Sequence, residues 1–148
     1  MNILKPGSQQ FGIAFRPADD VTDPKTEVIP HLRSMYAVLN RNKGISLGAQ
    51  QVGIRRKFFI YGGAACGMGH IRTVINPTIV RRSKAESVKP ETDLTDRENP
   101  VHAVRPDWVE VSFQDTLGET HLETFHGLLA QVFFREVERQ GGGFAKFS

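Results

Sequence analysis

Residues 126–140 constrain this chain more than any other segment. Leu128, Leu129, Val132, Phe133 and Glu136 recur there at helical spacing on one face, and Gly141, Gly142 and Gly143 end the run. Such a stripe stabilises a helix only when other elements cover it, so the rest of the chain has to supply a packing surface. Glu136 places a carboxylate on that stripe, where a charge is tolerated only with partners.

Strand patterns offer the surface. Lys57 to Tyr61 reads as a buried strand, and residues 62–69 as a flexible loop. Thr73 to Pro77 reads as a second strand that closes at Asn76-Pro77. Trp108 to Phe113 leads into a hairpin turn at Asp115 to Glu119, and a strand returns through Phe125. A further helix is expected over 27–41, with Ile29, Leu32, Met35, Tyr36 and Leu39 at helical spacing. There Thr26 can cap, Pro30 lies near the first turn and Gly44 stands beyond the end. Residues 11–23 suit an irregular N-terminal segment, and 81–100 read as a charged, solvated loop.

At 148 residues the expectation is one domain, 1–148, with a core of its own. The net charge of +3 comes from basic residues mixed with acids, with only short clusters at Arg55-Arg56-Lys57 and Arg81-Arg82, so nucleic acid is not the expected partner. Cys66 is the only cysteine, which excludes an intrachain disulfide and a Cys-rich zinc site. Residues 1–7 lack a secretory apolar run, and no stretch approaches the ~20 apolar residues that span a bilayer. A soluble, cytoplasmic protein without membrane attachment is expected; the oligomeric state is not legible.

Three segments, in order, resemble the peptide deformylase family. Gly44-Ile45-Ser46-Leu47-Gly48-Ala49-Gln50-Gln51 is similar to the family's Gly-apolar-Gly-Leu-Ala-Ala-x-Gln loop, with small Ser46 and Gly48 at two of the small-residue positions. Phe134-Arg135-Glu136-Val137-Glu138-Arg139 lies over the family's Gln-His-Glu-x-Asp-His. It keeps Glu136 and carries arginine at both histidine positions. Aligned back from Arg105, Glu91-Thr92-Asp93-Leu94-Thr95 falls on the family's Glu-Gly-Cys-Leu-Ser, which puts Asp93 at the metal-binding cysteine. The resemblance implies an α+β fold, with antiparallel sheets packed around a central helix that carries the degenerate H-E-x-x-H position. It also implies that the C-terminal helix of many family members is absent.

By the same resemblance, Gln51, Leu94 and Glu136 hold retained catalytic positions. Gln51 matches the glutamine that helps hold the formyl oxygen, and the counterpart of Leu94 helps stabilise the oxyanion through its backbone N–H. Gly44, Asp93, Arg135 and Arg139 are the expected binding positions. Arginine has no lone pair to give a metal, so no metal and no cofactor is expected. Asp93 is expected between Arg135 and Arg139 in an ion-pair cluster where the family has its metal, with Leu128, Val132 and Phe133 on the opposite helix face. The five histidines are too dispersed in sequence to build a replacement. Without a metal, Glu136 alone is a poor activator of water. The leading expectation is a deformylase-like protein without metal-dependent activity, whose cleft takes a peptide or a small anion. The alternatives are a divergent hydrolase that removes formyl or another acyl group from peptide N-termini, and a relic without a ligand.

Overall fold

The computed structural model describes residues 1–8 and 11–144. In chain order the elements are α1 (Pro24–Glu27), α2 (Ile29–Arg41), β1 (Ser46–Gly48), β2 (Phe58–Gly62), β3 (Ile71–Arg82), β4 (Glu86–Asp93), β5 (Asp96–Pro106), β6 (Trp108–Gln114), β7 (Thr120–His126) and α3 (Gly127–Arg139). Short 3-10 turns lie at Phe11–Phe15, Ala49–Val52 and Ala64–Cys66. The sheet order β1-β2-β3-β6-β7 is antiparallel throughout, and β4-β5 forms a separate antiparallel hairpin. This is the α+β class expected from the resemblance. Among the described residues no helix is long and apolar enough to cross a membrane.

Every residue of β2 is buried, because alternate side chains leave the strand on opposite faces and both faces are covered. Phe58 and Ile60 join a cluster with Met35, Val38 and Leu39 of α2, while Phe59 and Tyr61 join one with Ala130, Phe133 and Val137 of α3. Phe133 stacks on Phe125 with ring centroids 3.9 Å apart and meets Phe59 edge-on at 5.1 Å. The large sheet therefore lies between two helices, and α3 buries one face, with Ala130, Phe133, Glu136 and Val137 inside.

Three expectations need correction. The first helix is broken at Val28 (φ −120°, ψ −59°), and Asp23, not Thr26, caps its short first part by accepting from Lys25 N at 3.1 Å. Asn76-Pro77 does not close β3. The strand runs on to Arg82 through a register jump between Ile75 and Thr78, a bulge that accommodates a proline without an N–H. Asn76 takes φ +50°, and its side chain holds both the N–H and the carbonyl of Val21 at 2.8 Å. Residues 81–100 are not a loop: they hold the end of β3, all of β4, and β5 as far as Pro100. Inside 62–69, the expected loop contains the Ala64–Cys66 turn. The expectation about a C-terminal helix falls on chain beyond Phe144, outside the described residues.

Candidate functional site

The site forms where α3, β1 with its following turn, and the β4-β5 hairpin meet. Glu136, only 1% exposed, accepts from Ser46 Oγ at 2.8 Å and from Arg139 Nε at 3.0 Å. Arg139 reaches on with Nη1 to Asp93 Oδ2 at 2.7 Å, so one guanidinium bridges two carboxylates. Gly48 leaves the room: a Cβ there would sit 2.8 Å from Glu136 Oε1. Gly44 does the same for Leu94, whose Cδ1 a Cβ would meet at 2.7 Å.

Asp93 is fully engaged. Besides Arg139, it accepts from Thr95 N at 2.9 Å, from the Thr95 hydroxyl and from Gln51 Nε2 at 2.6 Å. Burial pushes its pKa up, but Arg139 and the Thr95 donors outweigh this and hold it below the ordinary carboxylate value. Arg139 shows the mirror case. Burial disfavours its charge, yet Glu136 and Asp93 win and raise its pKa, so it remains a cation. Gln51 joins the same cluster: its amide nitrogen donates to Asp93 and lies 3.1 Å from Thr95 Oγ1, while its carbonyl accepts from Gly48 N at 2.9 Å. The two acceptors are hydrogen-bonded to each other, so they share one side of the amide nitrogen.

The structure thus brings Gln51, Asp93, Glu136 and Arg139 together, with Leu94 and Gly44 lining the same cavity of about 390 Å³. It does not place Asp93 between the two arginines. Arg135 has no carboxylate within ion-pair distance among the described residues; Nη2 donates to Ser46 Oγ at 3.1 Å and Nη1 reaches the Thr92 carbonyl at 3.4 Å. Its Nε is buried and meets no partner among the described residues. The physical reason is reach. Residues 135 and 139 are one helical turn apart, and the tip of the hairpin comes down on the later one. Nor do Leu128 and Val132 lie opposite the arginines. At four- and three-residue steps, Leu128, Val132, Arg135 and Arg139 follow one stripe of α3, and all four line the cavity.

A second ion pair had no signal beyond the presence of its members. Arg105 grips Glu91 bidentately at 2.7 and 2.8 Å, with side-chain exposures of 7% and 3%. Its guanidinium lies 5.1 Å from the Phe134 ring centroid and touches Glu138 at 3.3 Å, which ties the hairpin to α3.

The donor set does not fit a divalent cation at this position. The two carboxylates that could ligate are bound by Arg139, and neither arginine offers a lone pair. Elsewhere, Asp115, Glu119 and His121 come within ligand distance of one another, a closeness their sequence spacing did not suggest. That group is a turn cap: Asp115 accepts from Leu117 N at 2.9 Å and Glu119 N at 3.0 Å and meets His121 Nε2 at 2.8 Å.

Comparison with known proteins places this geometry. A model of the polypeptide deformylase family matches residues 2–145. A chloroplastic peptide deformylase 1B of Oryza sativa is 31% identical over 109 residues, 73% of this chain and 40% of that protein. Peptide deformylase 2 of Corynebacterium efficiens is 26% identical over 141 residues, 88% of this chain and 71% of the relative. This chain therefore spans 40% of the rice protein's length and 71% of the corynebacterial one's. The crystal structure of the Thermotoga maritima peptide deformylase superposes with a TM-score of 0.83 at 27% identity, over 96% of this chain and 92% of that one. The chain belongs to the polypeptide deformylase family.

Proposed function

We propose that this family member does not carry out metal-dependent deformylation and that its cleft binds an anionic ligand. The observation that carries the proposal is the Arg139 guanidinium held between Asp93 and Glu136, at 2.7 and 3.0 Å. A divalent cation supplies an acidic water and a Lewis acid, and a guanidinium supplies neither. Two further observations support the reading. Gln51 turns its amide nitrogen into the cluster, onto Asp93 and Thr95, while its amide oxygen accepts from Gly48 N. Arg135 lines the cleft with only neutral oxygens as partners among the described residues, and Lys43 and Arg97 line it too. A cytoplasmic location belongs to the same proposal, and a lone cysteine in the chain is in keeping with it.

Two assays on one preparation test this. An N-formylmethionyl tripeptide, incubated with the protein and added iron, nickel or zinc, should be hydrolysed no faster than in buffer. Inorganic phosphate should bind the wild-type protein and bind Arg135→Gln about tenfold more weakly, the scale of one charge-assisted hydrogen bond. Enzyme-like turnover of the formyl peptide would establish the divergent-hydrolase alternative instead. Phosphate binding that is absent, or indifferent to Arg135, would refute the anion-binding half.

A further inference from the structure

We propose that the cleft takes an acyl carboxylate, a single carboxylate on a short apolar chain with no ammonium group; this rests on the anion-binding reading above. The stripe along α3 changes character within the cavity, from Leu128 and Val132 to Arg135 and Arg139. From Leu128 to Arg135 the axial distance is about 10 Å at 1.5 Å per residue, the span of a short acyl chain with its head group. Leu94 and Ile45 add apolar wall to the same cavity.

Charge selects the head group. Arg139 is already bonded to two carboxylates, so it has no unmet charge to offer. Arg135 does, because among the described residues its guanidinium meets only the Ser46 hydroxyl and the Thr92 carbonyl, both neutral. A planar guanidinium fork matches a carboxylate in shape. An ammonium group finds no counterpart among the described residues. The two carboxylates that line the cavity are taken, Glu91 by Arg105 and Asp93 by Arg139, while Lys43 and Arg97 add positive charge. An apolar chain also separates this ligand from phosphate, since burying Leu128, which is 50% exposed, adds affinity that a bare anion cannot gain.

The test is calorimetric titration of the full chain with hexanoate, inorganic phosphate and hexylamine, in the presence of EDTA. Hexanoate should bind more tightly than phosphate, and hexylamine should not bind. Arg135→Gln and Leu128→Asp should each weaken hexanoate about tenfold or more. Neither residue is in an ion pair or deeply buried, so both variants are expected to fold, with circular dichroism as the check. The same chemistry occurs at a peptide's C-terminal residue. Tighter binding of N-acetyl-alanyl-leucine than of hexanoate assigns the carboxylate to a peptide end, and the reverse order assigns it to a free acyl acid. Phosphate that binds as tightly as hexanoate through Arg135 overturns this inference and leaves the anion-binding proposal standing, as does hexylamine that binds equally well. Absence of binding by both anions overturns the two together. Hexanoate binding seen only without EDTA belongs to a metal and contradicts the proposed function as well.

Discussion

Replacing Arg139 by methionine is expected to lower the unfolding free energy by about 3–5 kcal/mol, the range for breaking a buried ion pair by removing one member. Methionine matches the length of the aliphatic stem, so packing is largely kept and the loss reports charge. Glu136, at 1% exposure, would keep only the Ser46 hydroxyl, and Asp93 would keep only neutral donors. Urea melts measure the effect. Adding Glu136→Gln to Arg139→Met should cost less than the two separate losses combined, because most of the penalty is the stranded carboxylate. A change within ~1 kcal/mol, as for exposed pairs, would mean that the cluster is open to water and holds nothing together.

Glu91→Ala should cost about as much, again about 3–5 kcal/mol. Arg105 loses both short contacts and is left 7% exposed beside Phe134. Glu138 offers partial relief at 3.3 Å, but it is 57% exposed and its attraction is screened. The hairpin should loosen from α3, which hydrogen exchange of β4 and β5 amides would register. Glu138→Ala is the control and should change stability by less than ~1 kcal/mol. Equal losses from the two substitutions would show that Glu91 does not anchor the hairpin.

These two residues mark where sequence reasoning stopped. The helix expected over 126–140 is α3, Gly127–Arg139, because its periodicity and its glycine stop are both local signals. The buried β2 was legible for the same reason, an unbroken apolar run. The β4-β5 hairpin was not. Val88, Val101 and Val104 are all more than half exposed, and the inward anchors are the charged Glu91 and Arg105, so burial leaves no apolar alternation to read. A paired glutamate and arginine in a charged stretch look like solvated surface until the fold joins them.

Within the site, the residue types were legible and their pairing was not. Asp93, Glu136 and Arg139 meet as three of the four members of the expected cluster, and Asp93 pairs with Arg139 but not with Arg135. Which arginine it meets depends on where a hairpin from another part of the chain comes down, a tertiary fact absent from spacing along α3. The engagement of Gln51 with Asp93 has the same origin, for the two lie 42 residues apart. Leu128 illustrates the reverse error. Its place in an apolar pattern suggested core, but it lies half-exposed at the cleft, sharing a stripe with Arg135 and Arg139.

The most direct test of the central claim, that an arginine-centred ion-pair cluster stands where the family has its metal, is metal stoichiometry by elemental mass spectrometry. The wild-type chain should be measured beside the variant carrying Asp93→Cys, Arg135→His and Arg139→His. The wild type should hold far less than one transition metal ion per chain after exposure to iron, nickel or zinc. The variant should approach one, because it regains a thiolate and two imidazoles around the same cavity. A wild-type chain with close to one bound ion, released by Asp93→Ala, would contradict the account.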